Sequence, residues 1–151
     1  MKIAYILPHL ELYGGVKRAL ETCDRLMKRG HEVCFYTPTG EPCSWRENSV
    51  PVKKLENASK DNYDVTIFTL ESQYLEPRRF RTKSVIYYIL HYGVLYKEAE
   101  VCRESYKQPY YLIANSSWTA SHIAREIGRV PPVVRGGIDT SFFKPVEIKK
   151  K

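Results

Sequence analysis

No run of apolar residues in this chain approaches the roughly 18 that a membrane-spanning helix needs, and the start Met1-Lys2-Ile3 leads into a strand rather than a signal peptide. The chain is therefore expected to be soluble and cytoplasmic. Cysteine is scarce, and Cys23, Cys34, Cys43 and Cys102 form no C-x-x-C pair. Buried, reduced thiols are expected, with no metal. A dinucleotide fingerprint is missing too. No G-x-G-x-x-G follows the first strand, and the second strand ends in Tyr36-Thr37-Pro38 where an acid belongs. There is no internal repeat. Nucleic acid is set aside, because the chain has neither a known motif nor a concentrated basic helix.

What is present is the composition of a folded domain. The 151 residues are 43% hydrophobic and 27% charged, which supports a single core without staples. The net charge of +7 fits an anionic partner. Part of that charge sits in the tail Lys149-Lys150-Lys151 and part in Arg78-Arg79-Phe80-Arg81-Thr82-Lys83, with the remainder scattered over helices. The tail reads as a solvated run.

The pattern of elements alternates. Ile3-Ala4-Tyr5-Ile6-Leu7 is apolar on both faces, as a central parallel strand must be. After Gly14-Gly15, a helix shows Val16, Ala19, Leu20, Cys23, Leu26 and Met27 on one face, Lys17, Glu21 and Arg25 on the other, and ends at Gly30. His31 to Thr37 is the second strand, Pro38 to Ser49 a long loop, and Val50 to Leu55 a short edge strand. Strands over Tyr63 to Thr69 and Ser84 to His91 flank a short helix, Glu71 to Phe80, interrupted near Pro77. A helix from Leu95 to Tyr106, a strand from Tyr110 to Asn115, a helix capped by Ser116 and closed by Gly128, and a last strand Val133 to Arg135 complete the series. The series predicts an α/β fold, a Rossmann-like, doubly wound and mostly parallel sheet.

Such sheets bind ligands beyond the carboxyl ends of their strands. The candidates are thus Pro8 to Gly15, Leu70-Glu71, His91-Tyr92-Gly93, Asn115-Ser116-Ser117 and Gly136 to Asp139. Gly14 and Gly15 offer backbone N–H groups at a helix N-terminus, where the helix dipole favours an anion. On residues alone they also serve as a tight connection, and His91 as a half-buried histidine.

The succession of Gly14-Gly15-Val16, Lys28-Arg29-Gly30-His31-Glu32-Val33, Tyr63-Asp64-Val65, His91, Ala114-Asn115-Ser116-Ser117-Trp118-Thr119 and Val134-Arg135-Gly136-Gly137-Ile138-Asp139, with Phe143 and Pro145, resembles the N-terminal half of a retaining GT-B glycosyltransferase of the group 1, or family 4, type. The resemblance spans Lys2 to Pro145. It implies an acceptor-side domain over residues 1–145, followed by a basic tail or the start of an interdomain linker over 146–151. It also implies a nucleotide-sugar donor as substrate, no cofactor, and a sugar or lipid-linked acceptor.

Carried over, Gly14 and Gly15 are the donor phosphate and sugar loop. His91 is the catalytic residue at the reacting centre. Ser116 has a secondary role, and Asp139 belongs to the domain junction. The family's donor-binding domain, with its Arg/Lys pair and Glu-x7-Glu, is missing here. The chain is therefore expected to be inactive until joined to that domain or to a separate catalytic subunit, as a trimmed piece or a natural half. The alternative is a non-catalytic Rossmann-like subunit that binds an acceptor or a catalytic partner. Gly136 stands where the family turn has Asn, and His9 to Tyr13 are bulky enough to cover the site. Relatives acting on lipid-linked acceptors use basic, apolar-tipped surfaces, so Arg78 to Lys83 is a candidate for peripheral contact with an anionic membrane.

Overall fold

The computed structural model describes residues 1–95, 99–141 and 143–145. Strands β1 (Lys2–Ile6), β2 (Glu32–Thr37), β3 (Val52–Lys54), β4 (Asn62–Phe68), β5 (Arg81–Ile89) and β6 (Tyr111–Ala114) form one sheet in the order β3-β2-β1-β4-β5-β6. Every pairing is parallel. The fold is an α/β, Rossmann-like, doubly wound sheet, and its strand order reverses between β1 and β4.

Helix α1 (Gly14–Lys28) covers one face of the sheet. Its Val16, Ala19, Leu20 and Cys23 pack with Ile3, Tyr5, Val33 and Phe35 in one core. Ala4, Ile6, Tyr36, Phe68 and Tyr87 form a second core on the opposite face, under helices α2 (Ala99–Lys107) and α3 (Ser117–Ile127). Strand β1 is buried from both sides, which is why its sequence lacks polar alternation. Helix α1 ends where Gly30 takes a φ of 83°. The loop after β2 is structural, since Cys43 and Trp45 pack on the first core and the Trp45 indole N–H donates to the Leu10 carbonyl at 2.7 Å.

Several expectations shift. The helix read over Glu71 to Phe80 is two 3-10 turns, Glu71–Gln73 and Glu76–Arg79, because Pro77 lacks the N–H that a continuous α-helix needs. Strand β5 begins at Arg81, three residues before the expected start, and continues the parallel pairing with β4 through Asn62 and Tyr63. The last strand reduces to a single bridge between Val133 and Ala114. Leu95 lies in a 3-10 turn with Gly93, and the start of the helix expected from Leu95 falls partly on residues 96–98, outside the described residues. So does the tail 146–151.

The expected apolar tip of the basic segment is in the core. Phe80 sits edge-on to Tyr36 and Tyr63, with ring centroids 4.8 and 6.0 Å away. Arg79 pairs with Glu76, and Lys83 with Asp64 at 2.7 Å. No helix among the described residues is long and apolar enough to cross a membrane. The cysteines form no disulfide, and Cys23, Cys34 and Cys102 are buried.

The Ser116 hydroxyl accepts the Thr119 backbone N–H at 3.1 Å and so caps α3. Replacing Ser116 by Ala should cost about 1 kcal/mol. The check is urea unfolding, where the midpoint should fall while the slope stays constant.

Candidate functional site

Because all strands run parallel, the turns after β1, β4, β5 and β6 open on one rim. Helix α1 starts there at Gly14. Its N-cap residue, Tyr13, makes no side-chain cap, and the first turn contains no acid. The helix dipole at this end is thus left to attract an anion.

Gly14 and Gly15 open on a cleft of about 530 Å³ that they line with Arg18, Tyr88, Leu90, Asn115, Arg135 and Gly136. A Cβ at Gly14 would meet nothing, whereas one at Gly15 would stand 3.3 Å from Leu90 Cδ1. A side chain at Gly15 is therefore accommodated only if Leu90 shifts by a few tenths of an ångström. Asn115 spans the gap between strand ends, donating its side-chain N–H to the Leu90 carbonyl at 2.6 Å and accepting from the Thr119 hydroxyl at 2.8 Å.

His91 lies two residues beyond β5, next to Leu90, so the structure brings it to the rim that carries Gly15. Its imidazole is half-exposed, and Nε2 stands 3.5 Å from Oε1 of the buried Glu71, which follows β4. The Glu71 hydrogen bond raises the His91 pKa above its ordinary value of 6.5, against burial and with help from the carboxylate charge. Burial alone would raise the Glu71 pKa. The His91 hydrogen bond, Glu71's own backbone N–H and the imidazolium charge together outweigh burial and hold it below 4.5. Both shifts favour an imidazolium and a carboxylate.

Two further candidates, Ser116 and Asp139, have structural partners. Ser116 is engaged as the α3 cap. Asp139 pairs with Arg25 at 3.7 Å, ten residues along α1 from Gly15, or about 15 Å away by helix rise. Asp139 also accepts from the Ser141 backbone N–H at 3.0 Å, as a turn-forming residue does. A Cβ at Gly136 would meet the Arg18 guanidinium, the far end of a flexible side chain that can shift to make room. Of the bulky residues before the glycine loop, Leu10 is buried, while Leu12 and Tyr13 stand exposed beside the cleft entrance. Arg18 and Arg135 are the site residues that sequence reading misses. Arg18 carries no motif, and its place is set by a segment more than a hundred residues away. Among the described residues no group of three His, Cys, Asp or Glu could hold a metal ion.

No family model matches the chain, and neither does any curated protein. Solved structures do. An alpha-glucosyltransferase in complex with UDP-glucose and DNA containing an abasic site superposes with a TM-score of 0.56 at 18% identity, over 89% of this chain and 41% of that one. An alpha-glucosyltransferase in complex with UDP and a 13-mer DNA containing a HMU base gives 0.54 at 18%, with the same coverage. The fold is that of one half of a GT-B glycosyltransferase. The chain spans about two-fifths of the length of these neighbours.

The ion pair at the rim has a pH signature. His91 adds stability that is complete below pH 6.5 and lost as pH rises through its raised value. Glu71 adds stability that is complete above pH 4.5 and lost as pH falls through its lowered value. Together they contribute most between pH 4.5 and 6.5. Glu71→Gln removes the charge that raises His91 and leaves burial in place, so the His91 pKa should fall in an NMR titration of the ring. An unchanged His91 titration in this variant would mean that the pair does not form in solution.

Proposed function

We propose that this chain supplies the N-terminal, acceptor-side half of a glycosyltransferase, which moves a sugar from a nucleotide-sugar donor to a sugar or lipid-linked acceptor with retention. One observation carries the reading. The bare N-terminus of α1, with Gly14 and Gly15, opens at the carboxyl edge of an all-parallel sheet whose fold is shared with an alpha-glucosyltransferase bound to UDP-glucose. That likeness favours an enzyme half over a non-catalytic subunit. Residues 1–145 act as one domain, turnover requires a donor-binding half, and Asp139 lies at the junction to it.

In sugar transfer the bond between the anomeric carbon and the diphosphate breaks, and negative charge grows on the departing diphosphate. Donors fixed in advance where that charge appears lower the barrier. The Gly14 and Gly15 N–H groups at the α1 N-terminus are such donors, and Arg18 adds positive charge to the same cleft. An imidazolium donates hydrogen bonds from both ring nitrogens. His91 is read as a hydrogen-bond donor to the sugar or diphosphate, with Glu71 3.5 Å from Nε2 favouring its charged form. This reading calls for no metal, since backbone dipoles and cationic side chains supply the stabilisation.

The test joins the chain to a donor-binding half and measures turnover. Gly14→Val, whose side chain blocks the approach of a phosphate to the backbone N–H groups, and His91→Ala, which removes a donor, should each reduce kcat by about 100-fold or more. Gly14→Val is cleaner than Gly15→Val, because its Cβ enters open space and the melting temperature should hold. Gly15→Val should also lose about 1–3 kcal/mol of stability by pressing on Leu90. Full activity in His91→Ala per folded molecule would remove the histidine from the site.

A further inference from the structure

Cations that are scattered in the sequence are gathered by the fold. Arg18, Arg25 and Arg29 stand at spacings of seven and eleven residues, which places them on one side of α1 and its C-cap over about 16 Å. The segment after α3 returns beside this side of the helix. It is held there by the Tyr88 hydroxyl, which donates to the Val134 carbonyl at 2.8 Å. Between helix and segment runs a groove of about 230 Å³, lined by all three arginines and by Arg135. It continues into the rim cleft, with Arg18 and Arg135 lining both.

One carboxylate, Glu21, lines the groove with the arginines, and Asp139 stands at Arg25. Glu21 pairs with Lys17 at 4.0 Å and Asp139 with Arg25 at 3.7 Å. No carboxylate among the described residues pairs with Arg18, Arg29 or Arg135. Arg18 and Arg29 on the helix and Arg135 on the returning segment are like charges that repel across the groove, and an anion lying in it relieves that repulsion.

We propose that this groove binds the phosphodiester backbone of a single nucleic-acid strand, without regard to base sequence. One strand of a duplex carries a charge about every 3.4 Å of axis, so the arginine row has the reach of about four or five phosphates. Guanidinium groups match phosphate oxygens in bidentate fashion, which favours arginine over lysine here. A flat bilayer does not reach the floor of a groove, and the segment Arg78 to Lys83 keeps Phe80 in the core rather than offering it to lipid. Backbone contact alone makes the binding salt-sensitive and sequence-independent. The proposal stands apart from the sugar-transfer reading, because it concerns binding by this chain alone.

The experiment uses the 151-residue chain and a fluorescein-labelled oligothymidine of about 15 nucleotides, with anisotropy read from 50 to 200 mM salt, the range over which backbone binding changes steeply. The plot of log K against log salt should slope at about −2, since each of three phosphate contacts on a single strand contributes about −0.7. Arg29→Gln with Arg135→Gln should weaken binding about tenfold or more at the low-salt end and bring the slope to about −0.7. Arg78→Gln with Arg81→Gln removes the same net charge outside the groove and should change affinity less than about threefold. Melting curves check that each variant is folded. Equal losses in the two double variants would overturn the proposal, as would no binding by the wild-type chain or equally tight binding of polyglutamate. It would also be overturned if Arg29→Gln with Arg135→Gln reduced binding to phosphatidylserine vesicles and left oligothymidine binding unchanged.

Discussion

The pairing of β1 with both β2 and β4 governs the rest of the molecule. A parallel strand with neighbours on both sides sends its crossover one way, while the chain beyond β4 departs the other way. A crevice is left at the carboxyl ends where the two directions part. The register sets its floor, since Ile6 pairs with Phe68 and β1 and β4 end level. The turn to Gly14 and the turn to Glu71 therefore leave the sheet at the same height. Leu90 then brings β5 against Gly15, and Asn115 ties the end of β6 to the end of β5. The rim is thus assembled by main-chain geometry before any polar side chain contributes.

Electrostatics at the rim follow from that assembly. A buried carboxylate needs compensation, and Glu71 finds it in His91 because β4 and β5 are adjacent parallel strands whose turns leave side by side. The ionised pair carries no net charge, so the positive end of α1 and Arg18 are the features of this rim that favour an anion. Any anion that binds this rim only in the folded state adds to stability.

The strand and helix series was legible in the sequence because each element carries a local signature. Strand β1 is apolar on both faces, α1 has a striped face and a glycine stop, and α3 has a serine cap and a left-handed Gly128. Those features depend on neighbours a few residues apart. The rim positions after β4, β5 and β6 followed from the same series, since a parallel sheet puts all carboxyl ends together. Where local signal was weak, the structure departed from expectation. Glu71 to Phe80 has helical composition but holds Pro77, and β5 gained Arg81 to Lys83 because β4 offered unpaired backbone beside them. Phe80 between arginines read as a surface residue, although the aromatic cluster of Tyr36 and Tyr63 draws it inside.

What no local pattern could show is contact between distant segments. Arg18 was an unremarked residue between Lys17 and Ala19, and Arg135 part of a short strand. Their neighbourhood arises only when the chain beyond α3 returns across α1 and meets it at Gly136. The Arg18 guanidinium lies against Gly136 and donates to the Gly137 carbonyl at 3.5 Å. The same return places Asp139 beside Arg25 and Phe143 over Lys17, with the ammonium 5.6 Å from the ring centroid. The outer face of α1, whose charges read as a solvated surface, is thereby covered along part of its length. Exposed ion pairs of this kind contribute little energy each. Their effect is positional, since they decide which arginines are neutralised and which face the groove.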